Sequence, residues 1–322
     1  VERTVLALDV GGTKLAAAVV GDDGTVLAEG RRPTGGPDGE ALFAGVGALL
    51  DEVESAASAA GAPPPVAVGV GCGGPMAPGG VAVSPLNIPQ WRDFPLRDRL
   101  AERQRLPTFV DNDAKALALA EGWLGAAAGQ RDYLAMVVST GVGAGIVVDG
   151  RLLDGSSGNA GHLGHVIVDP LGRVCPCGAR GCLEAQVSGT AIAAATGRPA
   201  AASPPELRQW AGRLVGRAVA SVANLLDLRL AVVAGSVALG FGVPFLAAAQ
   251  AELDRCARLE YSRGVRIVAT GCGTHGPLLG AAAVGLRGAG VPGADLPGAD
   301  VPGADVPGAG LRGAGLRGAG GA

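Results

Sequence analysis

Two histidines, three closely spaced cysteines and a glutamate crowd into one segment, residues 159–184, NAGHLGHVIVDPLGRVCPCGARGCLE. Cys175, Cys177 and Cys182 cannot all face one side of a regular helix or strand. Their C-x-C-x4-C spacing predicts a tight knuckle, with Gly178 and Gly181 letting the backbone turn sharply. Three thiolates need a fourth ligand for a tetrahedral zinc site, and His165, ten residues before Cys175, is the nearest candidate. The alternative is a disulfide plus a spare thiol. So dense an array in a chain without an export signal favours metal. Cys72, Cys256 and Cys272 are scattered among Gly, Val and Ala and read as small buried hydrophobes.

Two glycine-rich turns and one acidic pair are the other places where chemistry could sit. Asp9-Val10-Gly11-Gly12-Thr13-Lys14 joins two apolar runs, so the pattern is strand, turn, strand. No G-x-x-x-x-G-K-[ST] exists, and no helix follows the turn, so it is not a Walker loop. The stretch STGVGAG, residues 139–145, repeats the arrangement between strands at 133–138 and 146–148. Its G-x-G-x-G is followed by strand, and no acidic residue stands where a dinucleotide site needs one. Asn112-Asp113 falls where a strand at 108–111 gives way to a helix running to Trp123. Both residue types favour helix N-caps, so Asp113 has a structural reading beside a catalytic one.

Alternating strands and helices must position these residues. Asp22-Asp23-Gly24 turns the chain into a third strand at 25–30. Leu42, Val46, Leu49, Leu50 and Val53 recur at helical spacing, predicting a helix over 40–60 that Gly61 and three prolines stop. A buried strand follows at 66–70 and a short helix at 95–104. Beyond the cysteine segment the pattern predicts helices at 188–195, 207–226, 245–259 and 276–286, with strands at 230–234 and 265–270. The echo between the two glycine hairpins predicts an internal duplication, two related domains facing a cleft.

The G-H pair followed by C-x-C-G-x-x-G-C-x-E, the D-x-G-G-T-K hairpin and Asn112-Asp113 together resemble the ROK family of bacterial sugar kinases and sugar-responsive repressors, within the actin-like ATPase and sugar-kinase superfamily. The likeness runs from residue 5 to residue 286. It implies an α/β fold of two actin-like (ribonuclease H-like) domains flanking an active-site cleft. These would be 1–112, joined by a returning helix near 276–286, and 113–275, which carries the zinc loop.

The implied activity is ATP-dependent phosphorylation of a hexose, with glucose the first expectation. The phosphate loops would be Asp9, Gly11, Gly12, Thr13 and Lys14, and Thr140, Gly141 and Gly143. Asp9 would hold Mg2+ through water. Gly235 and Ser236 would lie against adenine and ribose, Ser236 replacing a glycine of the family. Asp113 would accept the proton of the attacking hydroxyl. Asn87, Asn112, Asp113, His162, His165 and Glu184 would bind the sugar. His165, Cys175, Cys177 and Cys182 would hold a structural Zn2+, which would aim the free ring nitrogen of His165 at the sugar. Trp91 in SPLNIPQW reads as a sugar edge or as a core anchor.

The chain departs from the family pattern at Gly73, where proline is usual, and at His162, where glutamate is usual. A glutamate accepts from two adjacent hydroxyls. A neutral histidine accepts at one nitrogen and donates at the other, which points to another hexose or a derivative.

Composition narrows the partners. The formal net charge is −3 and no Lys/Arg cluster stands out, which argues against nucleic acid. Asp9 and Lys14 break the first apolar stretch, so no signal peptide is expected. Asp227 and Arg229 break the richest apolar run, so no membrane span is expected. A cytoplasmic protein acting on sugar and ATP is the expectation, and the resemblance adds a homo-oligomer, dimer or tetramer. Family repressors carry an added DNA-binding domain before the first hairpin, which here begins almost at residue 1. That favours the enzyme over the repressor, and the presence of Asp9 and Asp113 favours it over a non-catalytic sugar binder. Residues 287–322 are a five-residue repeat of the type V-P-G-A-D. A square pentapeptide coil and elastin-like turns both fit, and a flexible low-complexity tail without catalytic role is expected.

Overall fold

The computed structural model describes residues 1–291. The first half of the chain forms β1 (Thr4–Val10), β2 (Lys14–Gly21), β3 (Val26–Pro33), α1 (Gly39–Ala59), β4 (Pro65–Cys72), α2 (Leu96–Gln104) and β5 (Thr108–Asn112). Helix α3 (Asp113–Trp123) follows directly. The second half forms β6 (Tyr133–Val138), β7 (Val142–Val148), β8 (Arg151–Leu152), α4 (Leu183–Val187), α5 (Gly189–Thr196), α6 (Pro205–Leu226), β9 (Leu230–Ala234), α7 (Ser236–Phe241), α8 (Val243–Cys256), β10 (Arg266–Ala269) and α9 (Gly276–Gly288).

The strands make two sheets of five, ordered β3-β2-β1-β4-β5 and β8-β7-β6-β9-β10. In each, an antiparallel hairpin and a third antiparallel strand flank a parallel trio, β1-β4-β5 or β6-β9-β10. The duplication expected from the two glycine hairpins is therefore present in the topology. Side chains alternate along each central strand. β1 sends Val5 and Ala7 to one face and Leu6, Leu8 and Val10 to the other. β6 sends Tyr133 and Ala135 one way and Leu134, Met136 and Val138 the other. All are buried, because helices cover both faces of both sheets. α1 and α2 pack outside the first sheet, and α6 and α8 outside the second. Between the sheets lie α9, against β4 and β1, and α3, against β7 and β6.

Small residues let these inner layers meet backbone to backbone. A Cβ on Gly69 of β4 would lie 2.0 Å from the Ala281 carbonyl of α9. One on Gly280 of α9 would lie 2.8 Å from the backbone of Ala116 in α3. One on Gly145 of β7 would lie 2.8 Å from the Lys115 Cα and 2.6 Å from the Ala118 Cβ on the other side of α3. Glu121, fully buried near the end of α3, accepts from the N–H groups of Ala126, Gly271 and Cys272 and from the Thr270 hydroxyl. It ties α3 to the segment that leads into α9.

Several elements differ from expectation. β7 begins at Val142 rather than 146, because Gly143 and Gly145 are strand residues that make room for α3, not turn residues. α4, α7 and β8 are short elements that the residue pattern did not signal. α9 runs to Gly288, and Val291 is buried, so the first residues assigned to the tail belong to the folded body. The remaining repeats, and the expectation of a flexible tail, lie outside the described residues. Among the described residues, no helix is long and apolar enough to cross a membrane.

Gly145→Ala tests the inner packing. The added methyl meets α3 backbone, which cannot rotate away, so stability should fall by about 1–3 kcal/mol. Urea denaturation reads this directly, and an unchanged midpoint would show that α3 can be displaced freely.

Candidate active site

The parallel trio of the first sheet ends on one line. Asp9 pairs in register with Gly71, and Gly71 with Asp111. Ligands in open α/β sheets gather at such carboxyl ends. Because position 71 has no side chain, space opens between two acids. A Cβ there would lie 3.7 Å from the Asp113 Cα and 3.9 Å from Asp9 Oδ1. Withdrawal from water, then the nearby Asp113 carboxylate, pushes Asp9 up to about 7, while the Lys14 ammonium pulls it down. Burial also raises Asp113. Asn112, not Asp113, is the N-cap of α3, its Oδ1 accepting from the Ala114 N–H at 3.0 Å. Asp113 occupies the first helical position, and one of its oxygens accepts from the same N–H at 2.8 Å.

Two glycine turns face this point. In the first, the Gly11 N–H closes the hairpin on the Lys14 carbonyl at 3.1 Å, so the turn's outward donors come from Gly12 and Thr13. Asn87 packs over it: a Cβ on Gly12 would lie 2.5 Å from the Asn87 Cβ. The second turn is Ser139-Thr140-Gly141, closed by the Ser139 N–H on the Gly141 carbonyl at 2.9 Å. Gly235 crosses beside it at φ +100°, where a Cβ would lie 2.4 Å from the Val138 carbonyl. The Ser139 and Ser236 hydroxyls meet at 2.9 Å. Thr140, Gly141, Gly235 and Ser236 are thus brought together. Gly143 is not with them: it lies in β7, where a Cβ would sit 3.1 Å from that of Ala114.

The opposite wall is polar. A Cβ on Gly74 would lie 3.5 Å from Asn112 Nδ2 and 3.8 Å from His162 Nε2, so the three converge. His162 Nδ1 is 3.0 Å from the Asn159 carbonyl. A carbonyl only accepts, so Nδ1 carries a proton; in the neutral form of the ring, Nε2 is then the acceptor. The His165 ring stacks beside it, centroids 6.1 Å apart. Glu184, at the start of α4, accepts from the Val142 N–H at 2.8 Å through Oε2, next to the second turn. Trp91 is the core anchor of the two readings above. It is fully buried, stacked on Phe94 at 4.6 Å, and donates to the Gly39 carbonyl.

The cysteine knuckle sits behind His165. The ligand atoms of His165, Cys175, Cys177 and Cys182 all lie within 4.8 Å of one another. Cys177 and Cys182 sulfurs are 3.7 Å apart, and His165 Nδ1 is 3.7 Å from Cys175 Sγ. Zinc–sulfur bonds of about 2.3 Å in a tetrahedron set neighbouring sulfurs about 3.8 Å apart, so the donor set fits that ion. The three thiols are free, and their spacing is not that of a disulfide.

The whole arrangement has known counterparts. The pattern of the ROK family matches residues 5–287. The chain belongs to the ROK family. It is an ATP-dependent sugar kinase of that family. The N-acetylmannosamine kinase of Citrobacter koseri is 38% identical over 256 residues, 74% of this chain and 85% of that protein. The ROK hexokinase of Thermus thermophilus is 35% identical with a TM-score of 0.74, covering 88% of this chain and 97% of its own. A ROK glucokinase from Streptomyces griseus, solved with glucose and AMPPNP, is 28% identical with a TM-score of 0.75, covering 88% and 99%. In all three, then, the likeness spans the ROK fold rather than one motif of it.

Residue reasoning missed Lys115, whose ammonium reaches Asp111 and Asp154 beneath this ROK site. The D-N-D-A-K string was the available signal, an acid four residues before a base.

The raised Asp9 gives a signed prediction. A carboxyl at about 7 in the folded chain and 3.8 in its ordinary state holds its proton better when folded. It therefore supports folding below about pH 4 and loses that support as pH rises through 7. Without divalent cation, Asp9→Asn should melt several degrees above the native protein at pH 8, with the gap closing as pH falls toward 4. Equal melting temperatures across that range would show that Asp9 titrates normally.

Proposed function

We propose that this kinase phosphorylates the primary hydroxyl of a 2-acetamido hexose, N-acetylmannosamine, with glucose as the second reading. The observation that carries the choice is His162. Its Nε2 converges with Asn112 near Gly74 and, in the neutral ring, is a single acceptor, which suits one amide N–H or one hydroxyl better than a pair of adjacent hydroxyls. The C. koseri relative, named for that substrate, supports it. The S. griseus structure with bound glucose supports the second reading.

In the proposed mechanism Asp113 orients the attacking hydroxyl and takes its proton. Burial raises its proton affinity, which suits a base. Gly12, Thr13, Thr140 and Gly141 offer donors to the phosphates, and Gly235 and Ser236 flank the nucleoside. Asn87, Asn112, His162, His165 and Glu184 hold the remaining hydroxyls. Asp9, held beside Asp113 with only Lys14 as counter-charge, fits a Mg2+ ion, which would neutralise charge on the phosphoryl oxygens. The halves 1–112 and 113–275, each with its own sheet, act as two domains across the cleft. Zinc on Nδ1 of His165 would leave Nε2 to donate to the sugar.

A coupled ADP assay with N-acetylmannosamine, N-acetylglucosamine, mannose and glucose tests the substrate. N-acetylmannosamine should exceed glucose in kcat/KM by on the order of tenfold or more, the scale of a lost polar contact. Asp113→Asn should lower kcat on that sugar by about 100-fold or more. Preference for glucose would overturn the substrate, and near-normal turnover by Asp113→Asn would overturn the base.

Elemental analysis should find one zinc per chain in protein purified without chelator. Cys177→Ala should lose it and raise the sugar KM, because the loop that holds His165 and Glu184 loosens. A metal-free native protein with full activity would end this assignment.

A further inference from the structure

We propose that Lys115 is a positioning residue, a buried latch that fixes the loop carrying His162 across the cleft; the proposal rests on the kinase reading above. Lys115 lies two residues after Asp113 in the first turn of α3. Its side chain is only 2% exposed although it ends in an ammonium. Nζ is 2.8 Å from Asp111 Oδ1 and 2.6 Å from Asp154 Oδ1, and it donates to the Gly158 carbonyl at 3.4 Å. A buried ammonium persists only where partners replace its water. Here two carboxylates and one carbonyl surround the head group.

The partners come from both sides of the cleft. Asp111 is the penultimate residue of β5 in the first sheet. Asp154 and Gly158 belong to the segment that leaves β8 of the second sheet and runs on to His162. The Ala160 N–H donates to the Asp154 carbonyl at 2.9 Å, which ties the loop to the residue that Lys115 holds. Asn159 Nδ2 donates to the Met76 carbonyl at 3.2 Å, on the first domain's side. The Asn159 carbonyl in turn orients His162 Nδ1. At its far end, Gly161 is pinned where a Cβ would lie 2.0 Å from the Ala144 carbonyl. One continuous chain of contacts therefore runs from Lys115 through Asp154 and Asn159 to the ring of His162. The near end of the loop is set by a charge pair, and the far end by packing and by the Ala144 N–H, which donates to the Gly161 carbonyl at 2.9 Å.

The latch can be opened from its wet side. The Asp154 side chain is 59% exposed, whereas that of Asp111 is 18% exposed. Asp154→Asn removes one charge, keeps the side-chain size, and leaves Lys115 paired with Asp111. It should fold.

Two measurements test the latch. In steady state, Asp154→Asn should raise the sugar KM on the order of tenfold while the ATP KM stays within about twofold of native, since one side of the site alone is loosened. Asp154→Glu, which restores the charge, should recover part of the loss. Without any substrate, hydrogen exchange of amides 155–161 should quicken by about tenfold or more, while α3 amides stay protected. A purely structural role would lower the melting temperature and leave the KM values in place. Sugar KM within about twofold of native in folded Asp154→Asn, or sugar and ATP KM rising together, would overturn the proposal. So would unchanged exchange at 155–161. If the native chain phosphorylates none of the sugars, the kinase reading fails by itself, and the exchange measurement then decides the latch alone.

Discussion

Helix α3 is held by backbone contact on two sides, and the site depends on that constraint. Gly145 of β7 lets one sheet touch it, and Gly280 of α9 lets the other half of the molecule touch its opposite side. Contacts made through glycine have no soft side chain to absorb a displacement. The position of α3 is therefore closely constrained, and with it the step from Asn112 to Asp113. The abundance of Ala and Gly in this chain has a use here: larger side chains would push the two sheets apart and separate the carboxylates of Asp9 and Asp113.

Those carboxylates give the cleft its electrostatic character. Two acids share a space that Gly71 leaves open, with Lys14 as a counter-charge. Packing holds together what charge would separate. Such a site is poised to take a cation and to move a proton, and it costs stability at neutral pH while it waits. A few residues away the balance is reversed. Lys115 is a cation that is fully enclosed, and its acidic partners are what keep it there. Helix α3 thus carries an acid at its first position and a base two residues later, each facing a different part of the cleft.

The polar wall beside Asn112 is ordered by hydrogen-bond direction rather than by charge. His162 is committed at Nδ1 by a backbone carbonyl and offers one acceptor. Glu184 commits one oxygen to the Val142 N–H beside the second glycine turn. His165 turns Nδ1 toward the cysteines. Each side chain has one polar atom spoken for by the scaffold and one left over, so the pocket presents a fixed pattern of donors and acceptors.

Much of this was legible in the chain. Period-two alternation and glycine turns are local signals, and they located both hairpins, the parallel strands and the long helices. The cysteine spacing and the Asn112-Asp113 pair are also local: the first marks a cluster of ligand atoms and the second the start of α3. What the residues could not say was which glycines turn the chain and which make room for a neighbour. Gly143 and Gly145 read as loop and are strand, because the helix that needs their space lies far away in sequence from any pattern that would announce it. The resemblance puts Gly11 in the phosphate loop, yet its N–H closes the hairpin. Trp91 read two ways until its partners, Phe94 and the Gly39 carbonyl, were in place. Lys115 carried no signal of burial, since a lysine on a helix is ordinarily solvated, and only the approach of Asp154 from the second sheet encloses it. The sequence by itself determined the strand and helix types and the identity of the reactive groups, because those follow from short-range pattern and side-chain chemistry. Tertiary structure alone decided which groups meet, how far each is withdrawn from water and which of their atoms remain unused, because those depend on contacts between elements that are remote along the chain.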